Sequence, residues 1–268
     1  MSTRITEALA SAKREGRVAL IAYLPCGYPD LEATPGLVRA MVRGGADAVE
    51  LGVPFSDPLA DGATIQAASQ RALEGGMSVR KLPGLIRELR ASGVVSPLIV
   101  MTYYNPILAY GQDGFVQDVA SAGGDGLIPV DVPPEEADEI SALCRGAGLA
   151  YVPLLAPTST DERIALAVRQ ASGFVYCVSV AGVTGVRQSL PGDVGAFLAR
   201  VRGQTELPLA VGFGISRREQ VEALRGKADA AIVGSAIVEI IEASPQELRE
   251  EKVRQYVEVL TGRRKAGV

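Results

Sequence analysis

The chain contains no histidine. That removes the side chain used most often as a general base and as a metal ligand, and every Ser-His or Cys-His nucleophile pair with it. Acid–base chemistry is left to carboxylates, Tyr, Cys or Lys. The lysines are few, at Lys13, Lys81, Lys227, Lys252 and Lys265, and none ends an apolar strand-like run, so a Schiff base is not expected. The three cysteines, Cys26, Cys144 and Cys177, are widely separated and lack metal-type spacing. An odd number of thiols without a secretion signal is expected in a reducing, cytoplasmic setting. The stretch from Met1 to Arg17 is polar and helix-forming, without the apolar block of a signal peptide. No apolar run approaches the ~20 residues of a membrane span; the longest near-continuous one, Val18 to Leu24, has strand length. A Gly-x-Gly-x-x-Gly turn is missing after the first strand-like run, which weakens a dinucleotide site. So is any Ser/Pro-rich linker that would mark a second domain.

What remains is a chain of 268 residues, 47% hydrophobic and 22% charged, which affords one full core with little disorder. Its net charge of −4 is not that of a nucleic-acid binder, and the basic run Arg263-Arg264-Lys265 reads as a solvated terminus. Short β-branched runs alternate with longer amphipathic segments. Strands are predicted near 18–23, 48–51, 98–102, 126–130, 150–155, 174–179, 209–212 and 230–233. Helices are predicted over 31–43, 79–91, 114–122, 134–147, 161–171, 194–201, 217–224 and 245–260. Strands alternating with helices imply a parallel sheet, and runs such as Leu98-Ile99-Val100-Met101 are apolar throughout, as strands covered on both faces should be. Eight such units at about 250 residues favour a single (β/α)₈ TIM barrel over residues 1–268 rather than an open sheet. It has an N-terminal helix and extra helices after strands 2 and 8, the former over 64–73.

Three features carry candidate chemistry. Glu50 sits inside the apolar strand Ala48-Val49-Glu50-Leu51. If Val49 and Leu51 face the helices, Glu50 faces the barrel interior, where desolvation would raise its pKa toward general acid/base use. The alternative is a structural ion pair at a strand end. The loop from Val53 to Gly62 carries Asp57 and Asp61, either of which could turn inward or simply bond its own backbone. Gly212-Phe213-Gly214 follows the seventh strand, and Gly234-Ser235 follows the eighth and opens an apolar helix over 236–241. Barrels often hold phosphate between these loops, with backbone N–H groups and a helix N-terminus toward the anion. Gly182-Val183-Thr184-Gly185 could add donors or form a flap. The other strand-end residues, Tyr23, Met101, Tyr103, Ile128, Val130, Leu155, Tyr176 and Phe213, are apolar or aromatic and would suit a flat apolar ligand if they converge.

The run Glu50-Leu51-Gly52-Val53-Pro54-Phe55-Ser56-Asp57-Pro58-Leu59-Ala60-Asp61-Gly62 resembles the signature of the tryptophan synthase alpha subunit family. Ala63 stands where that signature usually has proline. Thr64-Ile65-Gln66, Thr102-Tyr103-Tyr104-Asn105-Pro106, Asp131-Val132-Pro133, Gly182-Val183-Thr184-Gly185, Gly212-Phe213-Gly214-Ile215-Ser216 and Gly234-Ser235-Ala236-Ile237-Val238 follow in family order. The resemblance spans essentially the whole chain. It implies retro-aldol cleavage of indole-3-glycerol phosphate to indole and glyceraldehyde 3-phosphate, the alpha reaction of tryptophan biosynthesis. It implies Glu50 as the proton-transfer carboxylate and Asp61 as the carboxylate that hydrogen-bonds the indole N–H. Gly185, Phe213, Gly214, Gly234 and Ser235 match phosphate-site positions. Tyr23, Ile65, Tyr103, Ile128, Tyr176 and Thr184 match the substrate pocket and its closing loop. Pro54 and Asp57 match positions that contact a beta subunit, with an alpha2-beta2 heterotetramer implied. No metal and no cofactor are expected in this chain; pyridoxal phosphate would belong to the beta subunit. Val180-Ala181 replaces more polar residues, and Pro25-Cys26-Gly27-Tyr28-Pro29 varies the first-strand loop. Readings that remain open are a stand-alone indole-releasing lyase, a silent barrel that activates a partner, and another phosphate-binding isomerase or synthase barrel.

Overall fold

Nine parallel strand segments run in the order β5-β4-β3-β2-β1-β9-β8-β7-β6 in a computed structural model that describes residues 4–178, 192–212 and 214–265. The segments are β1 (Ala19–Pro25), β2 (Ala48–Gly52), β3 (Leu98–Thr102), β4 (Gly126–Pro129), β5 (Ala150–Tyr151), β6 (Leu154–Leu155), β7 (Val175–Val178), β8 (Leu209–Gly212) and β9 (Ala230–Val233). The two ends of that order, β5 and β6, are halves of one extended stretch separated by Val152-Pro153. Val152 N–H donates to Leu127 O on one side, and Tyr176 N–H donates to Pro153 O on the other. The ring therefore closes through this stretch, giving eight barrel strands. Proline supplies no ladder donor, which is why the fifth strand is split there.

Alternation along the strands sorts the apolar residues into two cores. Ile21, Ala48, Ile99, Ile128, Phe174 and Ile232 belong to the cluster inside the barrel. Their neighbours Leu20, Val49, Leu51, Val100, Val175 and Val211 belong to the larger cluster between strands and helices. The first helix, α1 (Arg4–Arg14), puts Ile5, Leu9 and Ala12 into the inner cluster and closes the end where the strands begin. The helix between β1 and β2 is α2 (Ala33–Gly44), and α3 (Ala63–Glu74) and α4 (Leu82–Ala91) both follow β2. Then come α5 (Tyr104–Tyr110), α6 (Gln112–Ala122), α7 (Asp138–Ala147), α8 (Asp161–Gln170), α9 (Gly192–Arg202), α10 (Arg218–Glu222), α11 (Ser235–Ala243) and α12 (Arg249–Thr261).

A repeated bracket ties the strands in pairs where they begin. Asp47 N–H donates to Leu20 O at 2.8 Å, and Leu20 N–H donates back to the Asp47 carboxylate at 2.8 Å. Leu98 with Asp125, and Leu209 with Asp229, repeat the same reciprocal pair. Ser172 does so for Tyr151 through its hydroxyl. Each aspartate also holds an arginine: Arg17 on Asp47, Arg90 on Asp125 and Arg202 on Asp229. The barrel is thus four strand pairs, each locked at its base by a polar residue just ahead of its second member.

Most predicted elements appear within a few residues of their expected bounds. The segments over 79–91 and 134–147 each open with a 3₁₀ turn, Val79–Lys81 and Pro134–Glu136. The sequence reading missed α5, an extra helix after β3. Asn105-Pro106 there resembles a turn, but proline is tolerated in the first turn of a helix. The Tyr104 N–H is capped by the Asp131 carboxylate at 2.7 Å, from the loop of the next unit.

Candidate active site

Glu50 lies at the centre of β2 with its side chain inside the barrel, between outward-facing Val49 and Leu51. It is 0% exposed. Among the described residues neither of its carboxylate oxygens has a hydrogen-bond partner. A carboxylate stripped of water and left unpaired resists ionisation, and burial pushes the Glu50 pKa up to about 8. Among the described residues the ion pair that the sequence left open is not formed.

The loop after β2 separates its two aspartates. Asp57 is exposed and accepts from the Ser56 hydroxyl at 2.5 Å. Asp61 is half-buried, and burial raises its pKa to about 6 while the Tyr103 hydroxyl holds it down. Tyr103 Oη accepts from Ala60 N–H at 2.9 Å, which leaves its own proton free for Asp61. The Tyr103 ring also packs against Phe55, with centroids 5.3 Å apart. One tyrosine from the end of β3 thus holds both the chain and the carboxylate of this loop. Ile65 on α3 is buried, Pro54 is buried, and Leu59 at the loop tip is 94% exposed.

Two further tyrosines face the carboxylates. Tyr23 on β1 is the register partner of Glu50. Its ring occupies space left by two glycines. A Cβ on Gly52 would fall 2.4 Å from Tyr23 Oη, and a Cβ on Gly234 would fall 2.9 Å from Tyr23 Cδ1. Tyr176 on β7 stands in the same relation to Gly212, where a Cβ would lie 2.6 Å from its Oη. Burial first, then the charges around them, led by Asp61 for Tyr23 and by Glu50 for Tyr176, raises the pKa of both hydroxyls well above 10, so they stay protonated donors. The sequence reading missed this interlock. Its only signal was the glycine at each of three strand ends.

Ile128 is buried in the inner cluster, with Met101, Val130, Leu154 and Val178 partly buried around it. Leu155 faces the helices with Tyr151, and Leu154 is the inward residue there, in step with Ala150 and Val152, because the period-two alternation continues through Pro153. Where the sequence led us to expect phosphate, Gly214 is exposed with φ +62°, a conformation that favours glycine. Gly234 caps α11 and Ser235 opens it, half-buried, with no acidic residue in the first turn to oppose an anion. Thr184, Gly185, Phe213 and the Val180-Ala181 departure lie outside the described residues. Among the described residues no group of three or more Cys, Asp or Glu could hold a metal ion.

The chain that brings one buried and one half-buried carboxylate to this barrel has known relatives. It matches the family profile of the tryptophan synthase alpha chain over residues 9–266. The tryptophan synthase alpha chain of Roseiflexus castenholzii is 48% identical over 260 residues, covering 97% of this chain and 100% of the relative. Tryptophan synthase of Saccharomyces cerevisiae is 42% identical over 264 residues, which is 98% of this chain and 37% of the yeast protein. A solved tryptophan synthase structure from Mycobacterium tuberculosis superposes with a TM-score of 0.90 at 37% identity, with 100% of each chain covered. The alpha subunit from Legionella pneumophila superposes with a TM-score of 0.89 at 34% identity, with 98% of each covered. The chain belongs to the tryptophan synthase alpha chain family, the indole-3-glycerol-phosphate lyases that carry out the alpha reaction of tryptophan biosynthesis.

Proposed function

We propose that Glu50 and Asp61 divide the alpha reaction of this protein between them. The observation that carries this reading is the desolvated, unpaired Glu50 carboxyl, with its pKa near 8, beside an Asp61 whose pKa is near 6. At neutral pH Glu50 is largely the acid and Asp61 largely the anion, the separation that acid and base roles require. Glu50 protonates C3 of the indole ring. Asp61 accepts the indole N–H hydrogen bond and stabilises the positive charge that reaches the nitrogen. The Glu50 carboxylate then takes the proton of the glycerol hydroxyl next to the ring as the carbon–carbon bond breaks. Indole and the aldehyde leave, and Glu50 is again protonated. Indole departs as a carbon acid, so the chemistry needs no histidine or Schiff base.

Tyr23, Ile65, Tyr103, Ile128, Tyr176 and Thr184 form the walls for indole in this reading. Gly185, Phe213, Gly214, Gly234 and Ser235 receive the phosphate through backbone N–H groups. The alpha chain family implies a beta subunit as partner, and we assign it the face around Pro54, Asp57 and the exposed Leu59, in a two-plus-two assembly. Pyridoxal phosphate belongs to that subunit: all five lysines here are exposed rather than turned into the barrel. The buried, unpaired cysteines favour the cytoplasm, and no helix among the described residues is long and apolar enough to cross a membrane.

The test is indole release by Glu50→Gln and Asp61→Asn. Each should lose at least ~10²-fold in turnover while still binding a substrate analogue. Near-normal turnover in Glu50→Gln removes it from the reaction. A normal Asp61→Asn beside a dead Asp57→Asn moves the second role to Asp57.

A further inference from the structure

The two carboxylates differ in one respect that their proposed roles do not explain. Asp61 has a hydroxyl donor, Tyr103, delivered by the end of β3. Glu50 has none among the described residues. Yet Glu50 must pass through its anionic form during turnover. A naked carboxylate in an apolar barrel is costly at that moment, unless a donor waits within reach.

Tyr23 is placed to be that donor. It is paired with Glu50 on the adjacent parallel strand and shares its inward face. Neighbouring strands run ~4.8 Å apart, so the two side chains rise side by side from the barrel wall. The tyrosine ring leans across the Glu50 strand, with its hydroxyl over Gly52, two residues further toward the mouth. A Glu50 side chain turned toward the mouth meets the hydroxyl from below. The ring has little other room, because Gly52 and Gly234 admit it only by lacking side chains. It is 8% exposed.

We propose that Tyr23 is a positioning residue of the reaction, whose hydroxyl donates a hydrogen bond to the Glu50 carboxylate as that group gives up its proton. The bond is absent in the resting acid form and is made as negative charge develops, so it stabilises the transition state more than the ground state. Burial and the flanking carboxylates keep the hydroxyl protonated through neutral pH. Among the described residues the titratable groups acting on Tyr23 are Asp61 from the loop before α3, Cys26 just after β1, Glu50 from β2 and Tyr176 from β7; Gly234, just past β9, brings no side chain. Tyr176 is the rival donor, but it stands on β7, which is not a neighbour of β2, and its hydroxyl lies against Gly212.

This inference rests on Glu50 as the proton-transfer group, and the experiment separates the two claims. Tyr23→Phe keeps the ring between its glycines and deletes only the hydroxyl. Turnover should fall about tenfold or more, the usual effect of losing a hydrogen bond to a charged group, while the Michaelis constant changes less than about twofold. The pKa of Glu50 in the pH profile of turnover should move upward, because its anion has lost a donor. Tyr176→Phe should leave that pKa in place. Wild-type turnover and pH profile in Tyr23→Phe, with Glu50→Gln inactive, overturn the role of Tyr23 alone. So does a loss of turnover without a pKa shift, or a shift that appears in Tyr176→Phe instead. An active Glu50→Gln overturns both claims.

Discussion

The Tyr23 ring lies where a side chain on Gly234 would stand: a Cβ added at residue 234 would sit 2.9 Å from Tyr23 Cδ1. The glycine read from sequence as a phosphate cradle is therefore also a packing partner of the carboxylate pocket. The two halves of the proposed substrate site would share one wall, with Glu50 and Asp61 on one side of Tyr23 and the N-terminus of α11 on the other.

Gly234→Ala should accordingly damage more than phosphate binding. The methyl must displace the Tyr23 ring toward Glu50, so turnover should fall along with affinity. Pairing Gly234→Ala with Tyr23→Leu should restore part of the loss in affinity, because the smaller side chain gives way. Steady-state kinetics of the two single variants and the double variant check this. Additive losses in the double variant would mean that the two residues do not press on each other.

The pH dependence of stability should carry the imprint of Glu50. Its pKa rises from an unfolded value of about 4.3 to about 8 in the folded chain. The folded state therefore binds the proton more tightly. That contribution to stability is full below the unfolded value and is lost as pH rises through about 8. Asp61, raised to about 6, acts in the same direction over a lower window. Glu50→Gln carries no proton to lose, so it should match wild type near pH 4.5 and exceed it near pH 9 by on the order of a few kcal/mol. Urea unfolding at the two pH values measures this. Equal differences at both would show that Glu50 is not desolvated.

The brackets at the strand starts should dominate the response of stability to surface-distant charges. Asp125 is 7% exposed, binds Arg4 at 2.8 Å and Arg90 at 2.5 Å, and accepts from Leu98 N–H at 2.8 Å. Asp125→Ala strands a half-buried guanidinium and a buried N–H together, and should cost about 3–5 kcal/mol. Glu135→Ala, which breaks an exposed pair with Arg163, should cost under about 1 kcal/mol. Denaturant midpoints for both variants test the ranking, and comparable losses would contradict it.

A beta subunit should raise indole release when titrated into the isolated chain, because the loop it is assigned to cover carries Asp61 itself. A partner that favours the competent loop position acts by population shift. Leu59 is 94% exposed, and a large apolar side chain at a loop tip gains by being covered. Leu59→Asp should raise the beta subunit concentration needed for half-maximal activation about tenfold or more. Asp57→Ala should weaken activation more than it weakens basal cleavage. A high basal rate with a flat titration would favour a stand-alone lyase.

Much of the architecture and chemistry was legible before any tertiary contact was known. A chain without histidine must use other acids and bases. Period-two alternation set Glu50 opposite Val49 and Leu51, so that it faces the barrel interior if they face the helices. The eight apolar runs announced the strands. These are local properties: side-chain face, helix period and the chemistry of single residues follow from neighbours a few positions away. The aspartates of the strand-start brackets, Asp47, Asp125 and Asp229, were not singled out, because nothing local marks their partners.

Tertiary structure decided what lies opposite each of them. Alternation aims Glu50 inward, but only the closed barrel removes its water and its partners and so raises its pKa. Composition could not rank Asp57 against Asp61; Tyr103, arriving from β3, holds one while the other stays in solvent. The helix α5 begins where Asp131 caps it from the next unit, a contact that its own short segment does not announce. Gly52, Gly212 and Gly234 resemble ordinary loop glycines until the rings of Tyr23 and Tyr176 fill the space above them. In each case the deciding contact joins residues far apart in the chain, and it exists only once the barrel has closed and excluded water from between them.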